Sequence, residues 1–136
     1  MQLLVGHDAA VVQWAMTKID GLTQPTHTLG LLDTAGALRG CFFLNAITPC
    51  TAEFIIYSEI PVGGGARVFF RLAFDGLGYG RLQITAERTA HITRKQAPRW
   101  GFKYDGTARD FYAPGRDAIR FVMLKRDCKW LSARNA

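Results

Sequence analysis

Three consecutive glycines, Gly63-Gly64-Gly65, separate a segment with strand character from one with helical spacing, a junction able to receive an anion. Before it, Phe54-Ile55-Ile56-Tyr57 is aromatic and β-branched, the composition of a buried strand. After it, Ala66, Phe69, Phe70, Ala73, Phe74 and Leu77 recur on one helical face. Glycine lets the backbone approach a ligand closely and take up positive φ. The first turn of a helix adds N–H donors without intrahelical partners and a partial positive charge. These residues predict a phosphate-type anion site. A plain strand-to-helix turn with no ligand would use the same ones.

Elements on either side must hold that junction in place. Val5 to Ile19 opens with a short strand-like piece, and helical spacing follows at Ala9, Val12, Ala15, Met16 and Ile19, with Asp8 as the expected N-cap. Leu29–Leu32 and Leu38–Ile47 read as strands joined by the turn Asp33-Thr34-Ala35-Gly36. Ala52–Glu59 completes a meander, and a helix from Ala66 to Leu77 leaves the glycines, with Gly78 closing it. Arg81–Thr85 alternates as a strand. A helix from Ala90 to Trp100 has Thr89 as its expected cap and Pro98 in its last turn. Phe102–Tyr112 and Asp117–Leu124 pair across Ala113-Pro114-Gly115-Arg116. The order is β-α-β-β-β-α-β-α-β-β. Its two helical crossovers predict parallel pairing in the middle of a mixed sheet.

Composition narrows the classes. At 136 residues, 49% hydrophobic and 12% aromatic, the chain reads as one globular domain, residues 1–136. No apolar run has the ~20 residues of a membrane span, and Met1–Asp8 lacks the basic start of a signal peptide. Three cysteines (Cys41, Cys50, Cys128) without a C-x-x-C pair suit reduced thiols and a cytoplasmic location, with Cys41 expected in the core. His7, His27 and His91 lack metal-ligand spacing, so no metal is expected. The net charge of +6 admits either nucleic acid or a phosphorylated small molecule as partner. Its carriers form two groups, Arg94 to Arg109 and Arg116 to Lys129, interleaved with aromatics. That pattern fits nucleic acid, and equally a solvated face.

With a glycine loop after the third meander strand, this order resembles the GNAT superfamily of acyl-CoA-dependent N-acyltransferases. Trp100-Gly101-Phe102-Lys103-Tyr104-Asp105-Gly106, then Arg109, then Asp117-Ala118-Ile119 are similar to the branch of ribosomal-protein N-terminal acetyltransferases, with Asp105 where glutamate is usual. The ending Met123 to Leu131 resembles short GNAT-like proteins of phages and prophages. The likeness runs from Leu29 to Leu131. It implies an α/β fold with a central mixed sheet of about seven strands flanked by three to four helices.

The resemblance also implies roles. Val62, Gly63, Gly64, Gly65 and Ala66 fall on the loop that wraps the coenzyme A diphosphate, with Arg67 in the first helical turn beside it. Phe54, Ile55, Ile56 and Tyr57 fall on the strand that receives the pantetheine arm and the thioester. Departures accompany the matches. Pro61 replaces the leading Gln or Arg of the phosphate motif, and Ala90 replaces an asparagine. Ala97 and Pro98 occupy the region of a tyrosine that serves as general acid, and one helix stands where two usually join the first strands. Acetyl transfer needs an amine deprotonated, placed at the thioester carbon, and a thiolate stabilised or protonated. Glu53 is the candidate base, with Glu59 second; Tyr57 and Tyr112 are candidate proton donors. The implied function is acetyl-CoA-dependent N-acetylation of a protein, small-molecule or nucleobase amine. The alternative is a catalytically silent GNAT-fold protein, a phage structural or host-interaction component. The open sheet edges suit a homodimer or a virion assembly.

Overall fold

Alternating apolar residues on the three meander strands give the sheet two buried faces, and the helices divide between them. The computed structural model describes residues 2–19, 22, 24–62 and 65–131; Gly63 and Gly64, on which the anion-loop expectation partly rests, lie outside the described residues. In chain order the elements are β1 (Gln2–Leu4), α1 (Asp8–Met16), β2 (His27–Leu32), β3 (Leu38–Ala46), β4 (Thr51–Ser58), α2 (Gly65–Arg71), β5 (Arg81–Glu87), α3 (His91–Trp100), β6 (Lys103–Ala113) and β7 (Arg116–Leu124). They form one seven-stranded mixed sheet in the order β1-β2-β3-β4-β5-β7-β6. On β3, Phe42 and Leu44 point to the side of α2 and α3, where they join Phe54, Phe69, Phe70, Phe74, Phe102 and Met123 in the main core. Cys41 and Phe43 point the other way, against Val11, Val12 and Ala15 of α1. Burial pushes the Cys41 thiol up to about 12, so it is an unreactive core group.

The turn at 33–36 forms as expected: Asp33 Oδ1 accepts the N–H groups of Ala35 and Ala37 at 2.9 and 3.0 Å. Several local expectations are corrected. The first crossover does yield a parallel pair, β4 with β5. The second does not, because β7 inserts between β5 and β6 and runs antiparallel to both. Neither Asp8 nor Thr89 caps its helix: His7 and Ala90 hold those positions without a side-chain bond, and Asp8 is instead the first residue of α1. The buried stripe of α1 runs through Val11, Val12 and Ala15, while Ala9 and Met16 face solvent. After Arg71 the glycine-led helix widens into a π turn, Leu72–Gly76, which leaves Leu77 exposed. Gly78 follows at φ +82°, the left-handed conformation that closes such an end. Asp75 of the π turn pairs with Lys125, whose Nζ lies 3.4 Å from its carboxylate.

Where β3 meets β4, the space above Gly40 is closed. A Cβ there would lie 2.9 Å from both the Tyr57 carbonyl and Ser58 Oγ, and 3.0 Å from Leu31 Cδ1. Backbone cannot step aside as a flexible side chain can. Gly40→Ala is therefore expected to destabilise the fold by about 1–3 kcal/mol, read as a lower urea midpoint at unchanged m.

Candidate functional site: a fork between β4 and β5

Parallel pairing between β4 and β5 lasts for three residue pairs, Thr51↔Arg81, Ala52↔Leu82 and Glu53↔Gln83, and then stops. Beyond Glu53 the register ends while both strands continue, β4 to Ser58 and β5 to Glu87. The backbone groups freed there need partners, and Glu53 supplies one. Its Oε1 accepts the Thr85 N–H at 2.8 Å and its Oε2 accepts from Gln83 Nε2 at 2.8 Å. The carboxylate thus braces the crotch of a fork.

The fork opens into a cleft of about 240 Å³. Phe54 and Ile56 form one wall, Ile84 and Ala86 the other, and Gln96, Ala97 and Trp100 of α3 close the floor. Ala97, where the resemblance expects a tyrosine nearby, is buried in that floor. At the far side of β4 the chain turns at Val62, whose carbonyl accepts the Gly65 N–H at 3.0 Å, so one donor of the glycine run is already engaged. In the next turn Arg67 has its Nε buried with no hydrogen-bond partner among the described residues. An unpartnered guanidinium N–H beside a helix start fits a diphosphate, and the apolar cleft fits a flexible thioester arm.

Of the three catalytic candidates, two share a neighbourhood. Tyr112 on β6 has its pKa raised first by burial, then by the negative charges of Glu87 and Glu53. Arg116 lies over its ring at 5.9 Å and is paired with Glu87. Tyr57 lies elsewhere: it packs edge-on against Trp14 of α1, on the face opposite Phe54 and Ile56. Its hydroxyl donates to Glu59 Oε2 at 3.0 Å, the main cause of its raised pKa. Glu59 in turn faces Lys18 at 3.3 Å and Arg39 at 3.7 Å, an ion-pair cluster clear of the fork. Ile55 likewise turns toward the α1 side.

Sequence reasoning passed over Gln83, Glu87, Gln96 and Arg120. The signal for Gln83 and Glu87 was the alternation of the Arg81 strand, which puts them on the face of Thr85; the bond of Gln83 to Glu53 depends on a pairing 30 residues away. Among the described residues no group of three or more His, Cys, Asp or Glu is gathered so as to hold a metal ion. Within the same residues no helix is long and apolar enough to cross a membrane.

Solved structures share this fold. A GCN5-related N-acetyltransferase from Brucella melitensis aligns with 88% of the chain at TM-score 0.66 and 25% identity. A structure described as a probable acetyltransferase aligns with 88% at TM-score 0.63 and 26% identity. This is a GNAT fold. The spermidine/spermine N-acetyltransferase SpeG of Vibrio cholerae shares the GNAT fold with it over 72% of the chain, at TM-score 0.60 and 19% identity. The chain spans 59%, 71% and 64% of the lengths of these three structures. No protein-family model and no curated protein matches the sequence. One helix joins β1 to β2 among the described residues, as the sequence indicates, where the family usually has two.

Proposed function

We propose that this GNAT-fold chain is an acetyl-CoA-dependent N-acetyltransferase. The observation that carries the reading is the fork: a sheet that splits after Glu53↔Gln83 and opens an apolar cleft against α3. Acetyl-CoA supplies an activated acyl group as a thioester. The cleft walls Phe54, Ile56, Ile84 and Ala86 would hold its arm, and Val62, Gly65, Ala66 and Arg67, with Gly63 and Gly64, its diphosphate. Glu53 takes the proton from the amine. Each of its oxygens keeps a lone pair beyond the bonds to Thr85 and Gln83. Tyr112, whose pKa is raised by burial and by the charges of Glu87 and Glu53, would donate a proton to the leaving thiolate. Tyr57, committed to Glu59, contributes packing behind β4. A second reading, a coenzyme-binding protein without transfer, is favoured by Pro61, Ala90 and Ala97 at positions where the family carries functional side chains.

Thermal stability with and without acetyl-CoA tests the shared part of both readings. A ligand at 100 times its dissociation constant adds about 2.7 kcal/mol. The expected result is a clear rise in Tm for the native chain and none for Ala86→Trp, whose indole would fill the cleft. No rise at millimolar acetyl-CoA would sink the coenzyme assignment. Mass detection of acetylated amines then separates the enzyme from the silent binder.

A further inference from the structure

The sheet face opposite α2 and α3 carries an arginine without an acceptor among the described residues. Arg120 stands on β7 directly across from Thr85 of β5 and Gly106 of β6. Its Nε is buried without a hydrogen-bond acceptor, and its guanidinium has no ion-pair partner, among the described residues. The carboxylates at neighbouring strand positions are engaged elsewhere. Asp105 holds Arg81 at 3.1 Å, and Glu87 is paired with Arg116. Asp117 holds Arg88 at 3.8 Å and accepts the Asp110 N–H at 2.9 Å. Glu53 is bonded to Thr85 and Gln83. Buried N–H groups in folded chains have acceptors, so the acceptor for this one is to be sought outside the described residues.

Space for it is present. Arg120 lines a cleft of about 210 Å³ together with Thr85, Asp105, Gly106, Thr107 and Ala118. Gly106 keeps it open: a Cβ there would meet nothing within 4 Å. The planar Nε–Nη fork of arginine matches a carboxylate through two parallel bonds. Asp105 lines the same cleft, and its charge disfavours a doubly charged phosphate more than a singly charged carboxylate. Glu53, which accepts the Thr85 N–H, supplies a negative charge that favours an ammonium on that side. Thr85 connects the two regions, because it borders both the fork and the Arg120 cleft and gives its N–H to Glu53.

We propose that Arg120 binds the carboxylate of the acceptor, and that the acceptor is an amine carrying its own carboxylate, of the free amino-acid type. The acceptor part of this rests on the acetyl-transfer reading of the fork; the carboxylate site does not. Adjacent strands lie about 4.8 Å apart, so a compact zwitterion can reach from Arg120, one strand beyond Thr85, to the Glu53 side. In a peptide the α-carboxylate is consumed by the amide bond, and this match is lost.

Two measurements test it. In the folded native chain, the Arg120 Nε–Hε NMR signal, assigned as the one missing from Arg120→Lys, is followed during titration with sodium acetate and, separately, sodium chloride. A saturable shift with acetate alone is expected; equal response to both salts overturns the carboxylate site. Acetyl transfer is then compared on pooled free amino acids, their amides and dipeptides. Acids are expected to exceed amides and dipeptides by about 10-fold, the value of one charge-assisted bond. Arg120→Gln should erase that preference while leaving stabilisation by acetyl-CoA unchanged. Equal use of acids and amides overturns the acceptor assignment. An acetate-specific shift with no transfer to any amine retains the anion site and defeats the acetyl-transfer reading instead.

Discussion

Phe70→Ala is expected to remove about 3–5 kcal/mol of stability. Phe70 is fully buried where four elements meet. Its ring stacks on Phe54 at 5.6 Å and on Trp130 at 6.1 Å, and meets Trp100 at 6.2 Å and Phe102 at 6.1 Å. No neighbour can collapse into the space, because each is pinned by others: Phe54 touches Phe42, Phe69, Trp100 and Phe102 as well. For a chain of this size each kcal/mol moves Tm by roughly 3–6 °C, so thermal unfolding should occur about 10 °C or more below the native chain. Phe111→Ala, which removes an equally large ring from an exposed position on β6, should change stability by no more than about 0.5 kcal/mol. Similar losses from both would mean that the aromatic cluster is not the centre of the core. Trp100 also lines the fork, so the deletion should weaken coenzyme binding in proportion to the unfolded fraction, and no further.

The element order was legible because each element declares its period. Phe69, Phe70, Ala73 and Phe74 mark the buried face of α2 and of the π turn that continues it, and Asp33-Thr34-Ala35-Gly36 marks a turn that one side chain can organise by itself. The far edge of the sheet was not legible from crossover logic alone. A helix after β5 says that the next strand runs parallel to it, not that it lies beside it. Burial decides the placement: Ile119, Phe121 and Met123 are buried under the helices and Ala118 is buried on the other face of β7, whereas β6 presents Lys103, Asp105, Arg109 and Asp110. The interior slot therefore goes to β7. The phase of α1 was missed because Val11 and Val12 are adjacent, and Ala9 and Met16 offered a competing stripe. At the fork, Glu53 was placed on its strand, but its bonds to Gln83 and Thr85 require knowing where β4 and β5 part. Tyr57 was placed on the correct strand, yet period-2 alternation turns it away from Phe54 and Ile56 and toward Trp14. Arg120 gave no signal, since an arginine on a strand ordinarily finds a carboxylate, and here the neighbouring ones are taken.

Glu53 carries the second large prediction, and a pair of substitutions separates its two duties. Glu53→Gln preserves shape and keeps an oxygen for the Thr85 N–H. The new amide nitrogen faces Gln83, whose own amide can turn to offer its oxygen. The fork stays braced, and stability should hold to within about 1 kcal/mol. What disappears is the proposed base, so under the acetyl-transfer reading transfer should fall by about 10²–10⁴-fold while acetyl-CoA still raises Tm. Glu53→Ala removes brace and base together. It leaves the Thr85 N–H and the Gln83 side chain without their partner in a partly buried crotch, at a cost of about 1–3 kcal/mol. Purified variants compared by urea unfolding and by rate of transfer give the answer. Activity lost with the glutamine while the urea midpoint holds means that the carboxylate moves a proton. Activity retained with the glutamine, and lost with alanine only in step with stability, means that Glu53 is a strut and that the proton leaves by another route.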